Sequence, residues 1–467
     1  MTASELDPRE DTIETKLPRR DWIILPLLGL ITVLVILFAS EMITRRYFRA
    51  DDGNDSCKVP DAKLDFRYRA NCKAHGKAVD GPLVAYQYNE CGYRTKESCG
   101  PKPSGTIRIA LLGSSTSLGM YVDYSQTFAA QTASSLERTI KRPVEVQNLG
   151  RDGCFASCAL SRVDEALALD PDLLIIAISP LDVANMRVSG DTKGYVDPQE
   201  TKGSVLQRMI RGGKAYFTGS GTGAAITHFM TLNDPAFVRS RTLLYLQSYD
   251  DPGYLKVPFS PAWQRRFEIL DHLLADAAEN SNQAKVPVVL IEIPAIHQSG
   301  LSRMQGLPSD VEPYAFNERM KQIAAQNGMR FVDGLDAFRP EPEINSLYYV
   351  VDGHLNAKGH AIIADALVKA GATLAGGLAY HAADEAGARK SVLEAAGKDA
   401  RAKAEILATA VGKQLGDPLA ITEDIVASNG VYSAMRAQIP WAFGPDTPAS
   451  AGDLEYYARV TASFRFQ

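Results

Sequence analysis

The chain has 467 residues, 45% of them hydrophobic and 22% charged, with a formal net charge of −5. A charge that small excludes the basic footprint of a nucleic-acid binder. The length allows one large or two modest domains with additional segments. Residues 1–20 mix acidic and basic side chains and read as a short cytoplasmic tail. Trp22 to Ser40 is then apolar but for Pro26, Gly29 and Thr32. About twenty apolar residues are what one helix needs to cross a bilayer, and few core helices are apolar on every face. A cleaved signal peptide is the rival reading, but the run is long for one and no clear A-x-A site follows. The expectation is an uncleaved transmembrane anchor over residues 21–43.

Basic residues flank the span on both sides (Lys16, Arg19 and Arg20 before it, Arg45, Arg46 and Arg49 after), so the positive-inside rule gives no orientation. The cysteines do. Cys57, Cys72, Cys91, Cys99, Cys154 and Cys158 all lie after the span. An even set confined to one side predicts disulfides in an oxidising compartment. That makes the chain a single-pass inner-membrane protein whose bulk is periplasmic or extracellular. Sequence does not choose the pairing, and buried free thiols remain the alternative. A zinc site is disfavoured, because no pair has C-x-x-C spacing.

Residues 44–104 carry four cysteines, several glycines and prolines and little helical period, and read as a stalk or cap stapled rather than packed. Gly100 to Gly105 is a linker by composition. From there to residue 372 strands and helices alternate. Strands are predicted at Ile107–Leu112, Val144–Asn148, Leu173–Ile178, Val286–Ile293 and Arg330–Val332. Helices are predicted at Gln126–Thr139, Ala156–Leu169, Pro261–Asn280, Val311–Gln326 and Ala357–Ala370. This order predicts an α/β domain with a parallel sheet covered on both faces. Residues 186–260 interrupt it as an insertion of short helical pieces able to roof a site. Within it, Gly219 to Gly223 reads as a flexible loop, since no strand precedes it and no Gly-Lys-Ser/Thr follows. Residues 373–467 form a mainly helical extension, with a long helix expected over Ser391 to Lys413.

The chemistry is concentrated in two places. The strand Ile107–Leu112 ends abruptly in Gly113-Ser114-Ser115-Thr116-Ser117-Leu118-Gly119. A loop at the C-terminal edge of a parallel sheet is where open α/β folds bind ligands, so Ser115 is well sited to be a nucleophile. A serine hydroxyl needs a base in hydrogen-bond reach. Asp352-Gly353-His354-Leu355-Asn356 lies just before a helix, on the same edge, and can supply His354 as that base and Asp352 as its orienting carboxylate. His297 follows a strand and lies near the same edge, whereas His360 is expected to be structural. Asp182 is expected to cap a loop.

At these residues the chain resembles the GDSL/SGNH hydrolase family, over roughly Thr106 to Ala370. The first family block, normally Gly-Asp-Ser, reads Gly113-Ser114-Ser115, and the second, Asn-x-Gly-x-x-Gly, reads Asn148 to Gly153. The last block supplies Asp352 and His354. The resemblance implies a flavodoxin-like three-layer α/β/α fold, a Ser115–His354–Asp352 triad, and an oxyanion held by the amides of Ser115 and Gly153. The lead-in Asn89 to Arg94 and the ending Leu355 to His360 resemble membrane-linked bacterial members. The chain departs from the family in three ways. Ser114 replaces the usual aspartate. The third block, normally Gly-x-Asn-Asp, reads Ser179-Pro180-Leu181-Asp182, so Leu181 stands where an oxyanion asparagine is usual, with Asn185 as a substitute candidate. The Asp–His spacing is two, where many members have three. The implied function is a membrane-anchored serine esterase acting on O-acyl esters of envelope carbohydrate or lipid, needing no metal or organic cofactor. An O-acyltransferase using the same site is the first alternative. A catalytically degenerate protein that binds glycan or a partner is the second.

Overall fold

The computed structural model describes residues 18, 20–186, 219–247, 252–371, 385–428 and 456–466. The proposed tail, residues 187–218 of the insertion, and residues 372–384 and 429–455 of the C-terminal extension lie outside them. The chain divides into two units, Met1–Val368 and Lys369–Gln467.

In the first unit, α1 (Asp21–Tyr47) is one continuous helix of 27 residues with none buried. It is long and apolar enough to cross a membrane. The cap follows as two antiparallel hairpins. One pairs β1 (Lys58–Asp61) with β2 (Asp65–Tyr68), the other β3 (Lys73–Lys77) with β4 (Leu83–Gln87). All six cysteines are bridged, as Cys57–Cys72, Cys91–Cys99 and Cys154–Cys158. Two of the bridges staple the cap. Its small core adds Tyr68, Tyr86 and Tyr88.

The main sheet has the order β6-β5-β7-β8-β9, parallel throughout. Its strands are β5 (Ile107–Leu112), β6 (Val144–Asn148), β7 (Leu173–Ile178), β8 (Val288–Glu292) and β9 (Arg330–Val332). Every residue of β5 and β7 is buried, as expected of strands covered on both faces. Alternate residues serve opposite layers. Ala110, Leu112, Leu174, Ile176, Ile178 and Leu290 join the cluster built around Trp263, Phe267 and Phe316.

The helices of this unit are α2 (Ser115–Leu118), α3 (Phe128–Ile140), α4 (Ala156–Leu160), α5 (Val163–Leu167), α6 (Pro180–Ala184), α7 (Gly221–Asn233), α8 (Pro235–Tyr245), α9 (Pro261–Gln283), α10 (Ile296–Leu301), α11 (Ala315–Gln326), α12 (Gly334–Ala337) and α13 (Ala357–Gly371). Helix α9 shows why such segments form. Ser260 caps it by accepting from Trp263 N, Pro261 opens the first turn, and Trp263, Phe267, Leu270 and Leu274 turn one apolar face to the sheet. The helix expected over Ala156–Leu169 breaks in two at Ser161-Arg162, where the Arg162 guanidinium turns in to the Leu149 carbonyl. The glycine-rich stretch Gly219 to Gly223, expected as a loop, is instead the capped start of α7. Ser220 accepts from Gly223 N, and Gly221 allows close approach, since a Cβ there would lie 2.5 Å from the Arg45 nitrogen.

In the second unit, α14 (Glu385–Ala410) covers most of the expected long helix. Beyond it, β10 (Leu415–Ser428) and β11 (Tyr456–Phe466) form an antiparallel hairpin that a mainly helical reading did not anticipate. Its signal is period two, as in Tyr457, Arg459, Thr461, Ser463 and Arg465 alternating with Ala458, Val460, Ala462, Phe464 and Phe466.

Candidate active site

Strand β5 runs out at Leu112, and the chain turns sharply through Gly113 into α2. A Cβ on Gly113 would lie 2.9 Å from the Ala177 carbonyl oxygen and closer still to the Ser117 hydroxyl, so only glycine passes here. The turn leaves Ser115 half-buried at the first position of α2. Arg94, fully buried and stacked on Tyr86 at 4.3 Å, holds the end of α2 by donating to the carbonyls of Leu118, Gly119 and Val122.

The segment after β6 is stitched to this turn. Leu149 N donates to Leu111 O and Arg151 N to Gly113 O. Asn148 accepts from Gly150 N at 2.9 Å and donates to Ser117 O at 2.8 Å. The cap props the same segment from outside. Lys58 pairs with Asp152 at 2.9 Å, and the Arg151 guanidinium lies 4.1 Å over Phe66 and donates to Phe66 O. Gly153 is exposed, with φ +64°, and the Cys154–Cys158 bridge follows at once. Among the described residues, neither the Ser115 nor the Gly153 N–H is spent on a protein acceptor. An oxyanion needs N–H donors of this kind that are not already committed elsewhere.

The third strand ends in a capping box. Ser179 accepts from Asp182 N, while the Asp182 carboxylate accepts from Ser179 N at 2.7 Å and Ser179 Oγ at 2.8 Å. Burial pushes the Asp182 carboxyl up, against hydrogen bonds from Ser114 and Ser179. Ser114 and Asp182 therefore face each other under Ser115. Leu181, on the first turn of α6, is 47% exposed. Asn185 donates back to Leu181 O at 2.9 Å.

The loop before α13 closes the arrangement. Tyr349 N donates to His354 O and Gly353 N to Tyr349 O, a tight turn that folds His354 back over Asp352. His354 Nδ1 lies 2.5 Å from Asp352 Oδ1, and His354 Nε2 lies 2.8 Å from Ser115 Oγ. The two-residue spacing between Asp and His is therefore sufficient in this loop. With a carboxylate at Nδ1, that nitrogen carries the proton and Nε2 accepts from the Ser115 hydroxyl. Burial opposes a charge on His354, but the hydrogen bond and attraction of Asp352, helped by Asp152 and Asp182, raise the imidazole above its ordinary value. This arrangement can deprotonate an alcohol as it attacks a carbonyl.

More than half of the chain, residues 111–362, matches the model of the family described as GDSL-like lipase/acylhydrolase. The chain belongs to that family. Its five-stranded parallel sheet with flanking helices is the SGNH α/β/α fold. Residues 349–464 also match the model of a second family, SIMPL, described as a protein of unknown function. No curated protein matches the chain. Among solved structures it is similar to a lipase/acylhydrolase from Enterococcus faecalis, with 13% identity over 57% of this chain and 95% of that one and a TM-score of 0.32. A lipolytic protein of the G-D-S-L family from Veillonella parvula gives 16% identity over 56% and 97%, TM-score 0.31. A Geobacillus acetyl-xylooligosaccharide esterase gives 15% over 56% and 93%, TM-score 0.31.

Other residues singled out in the sequence do not join this relay. His297 stacks on Tyr245 with centroids 4.1 Å apart. His360 is buried, accepts from Phe128 N at 3.1 Å, and is pushed by burial down to about 3. Among the described residues no three His, Cys, Asp or Glu side chains gather as metal ligands. Sequence reasoning missed a clamp on the loop that carries His354. Asp80, buried in the cap after β3, accepts from Val351 N at 3.1 Å and pairs with His228 of α7 at 3.1 Å. Arg241 of α8 donates to Val350 O at 2.8 Å and to Thr231 Oγ1 at 3.1 Å. This member of the GDSL-like family therefore has its His354 loop gripped by the cap and the insertion together.

Proposed function

We propose that the protein is a membrane-anchored serine esterase acting on O-acyl esters outside the cytoplasm. The observation that carries the reading is the unbroken relay from Ser115 Oγ through His354 to Asp352, at 2.8 and 2.5 Å. Ser115 Oγ forms a bond to the ester carbonyl carbon while its proton passes to His354 Nε2. The carbonyl π electrons move onto oxygen, and the N–H groups of Ser115 and Gly153 stabilise that charge. The tetrahedral species collapses, the C–O bond to the alcohol breaks, and His354 returns its proton to the departing alcohol. Water, deprotonated by the same imidazole, then releases the acid and restores Ser115. Asp352 stabilises the imidazolium formed twice in each cycle. The acyl esters of envelope carbohydrate or lipid are the proposed substrates. α1 is the proposed anchor, and the three disulfides support an oxidising compartment for everything after it.

The test uses the full chain in detergent micelles. A fluorophosphonate should label it covalently and p-nitrophenyl acetate should be turned over, both lost in Ser115→Ala. Equal labelling in that variant, or none in the native chain, would refute the assignment. Acylated product appearing when a sugar acceptor is added would instead make the protein a transferase. For topology, a phosphatase reporter fused after Gln467 is expected to be active; inactivity would place the domain in the cytoplasm.

A further inference from the structure

The chain has a helix that is inside-out for a water-soluble domain. In α7 the buried positions are small or polar, namely Gly223, Ala224, Ala225, Thr227 and Thr231. The large apolar side chains are the exposed ones, with Ile226 at 43%, Phe229 at 58% and Met230 at 37% forming an i, i+3, i+4 row and Leu232 at 45% lying beside it. Helix α9 of the same unit shows the opposite and usual polarity. A row of large apolar side chains held in water signals a surface that something covers.

Its place next to α1 indicates what that is. The apolar run of α1 gives way to Ser40, Glu41, Thr44 and Arg45, and α7 begins against those residues. The Glu41 carboxylate accepts from Gly221 N and Thr222 N, both at 3.0 Å. The Thr222 hydroxyl lies 3.4 Å from Ser40 Oγ and 3.2 Å from Thr44 Oγ1. Just beyond α1, the Phe48 ring meets His228 at 5.5 Å and Phe229 edge-on at 6.0 Å. So α7 starts at the level where the span ends, and its apolar row continues the apolar surface of α1 through Phe48 and Phe229. Arg45, Arg46 and Arg49, all exposed, surround this junction and suit an anionic headgroup layer.

We infer that α7 is a membrane-interface helix, with Ile226, Phe229 and Met230 seated among the headgroups and upper acyl chains of the leaflet from which α1 emerges. Helices of this polarity bury their apolar face roughly 5–10 Å into that zone. The inference rests on α1 being a membrane span. Its consequence bears on the site, because α7 also carries His228 in its middle and Thr231 near its C-terminal end, which reach the clamp on the His354 loop. Gly221 to Thr231 is about 15 Å of helix at 1.5 Å per residue, so the His354 loop is tied within that length of the end of α1.

The test uses the full chain in vesicles of phosphatidylethanolamine and phosphatidylglycerol. The native cysteines are all bridged, so single labels are available at Ile226→Cys and Phe229→Cys, with exposed Lys321→Cys of α11 as control. An environment-sensitive fluorophore at 226 and 229 should shift to the blue and lose most of its emission to lipid carrying a doxyl quencher, while the label at 321 does neither. Absence of lipid quenching at 226 and 229, in protein that resists carbonate extraction, overturns the inference and leaves the anchor standing. Shielding from aqueous iodide without lipid quenching also overturns it, since protein would then cover the face. Extraction by carbonate removes the anchor, and the inference with it.

Discussion

Leu181 offers the most direct quantitative test of the site. Serine hydrolysis needs donors aimed at the developing oxyanion, and the proposed mechanism assigns two, the N–H groups of Ser115 and Gly153, for which no protein acceptor is seen among the described residues. In related enzymes the third comes from an asparagine where this chain has Leu181. One such donor is worth about 3–4 kcal/mol, or roughly a hundred- to thousandfold in kcat. The position is favourable for restoring it. Its backbone is fixed by the Ser179–Asp182 capping box, and Asp182 is hydrogen-bonded to Ser114, next to the reacting serine. Replacing a side chain that is 47% exposed sacrifices little burial, on the order of 1 kcal/mol. Leu181→Asn should therefore raise kcat for p-nitrophenyl acetate about a hundredfold with little change in KM and in Tm. Leu181→Ala should not, and Leu181→Asn combined with Ser115→Ala should be inert. A folded Leu181→Asn protein no faster than the parent would refute the reasoning, because the oxyanion would then form away from α6.

Three further outcomes follow from the same geometry. His354 must be neutral to accept the Ser115 proton, and its value is raised, so kcat/KM should climb with pH through an inflection above about 6.5. Asp352→Asn leaves burial, which disfavours the imidazolium, opposed only by the more distant Asp152 and Asp182, so the inflection should move to lower pH while activity drops roughly ten-thousandfold; a pH–rate profile checks both. Asp80→Asn and Arg241→Met each loosen the His354 loop without touching substrate, and should cut kcat about tenfold or more with KM nearly unchanged. Arg241→Lys should recover part of that loss, and an unchanged kcat in both loosened variants would discount the clamp. Glu292 is wholly buried and pushed well above its ordinary value by burial and by Asp333, against hydrogen bonds from Asn317 and Leu335. The folded state thus binds a proton that the unfolded state releases above about pH 4.3, so stability is lost as pH rises from there towards the folded value. Glu292→Gln, neutral in both states, should flatten that loss and raise Tm at pH 8 more than at pH 5, read by thermal denaturation.

The sheet was legible because strands buried on both faces carry near-continuous apolar sequence. The observed bounds of β5, β6, β7 and β9 are those the runs predict, and β8 is shorter because Val286-Pro287 at one end and Ile293 at the other lie outside the ladder. Helix ends were less legible because they depend on tertiary contacts. Val311 pairs with Lys256 as an isolated bridge, which delays the expected helix until Ala315. Ser115 and the Asp352–His354 pair could be found for a related reason. Each belongs to a short local motif, and a parallel sheet brings all its strand C-termini to one edge.

Asp80, His228 and Arg241 belong to no such motif. Asp80 sits in a turn with Gly81, His228 in a helix of unusual polarity, and Arg241 among several arginines, so composition gives each the look of a solvated side chain. Their meaning comes from convergence on the backbone of Val350 and Val351. That backbone is three to four residues from His354, and the hydrogen bonds to it come from the cap and from the insertion rather than from the sheet. A relay with one heavy-atom distance of 2.5 Å and another of 2.8 Å tolerates little loop motion, since proton transfer depends on hydrogen-bond reach. The segments added to the α/β core are thus what holds the His354 loop. Because α7 joins that clamp to the end of α1, movement where the two helices meet has a short mechanical route to His354.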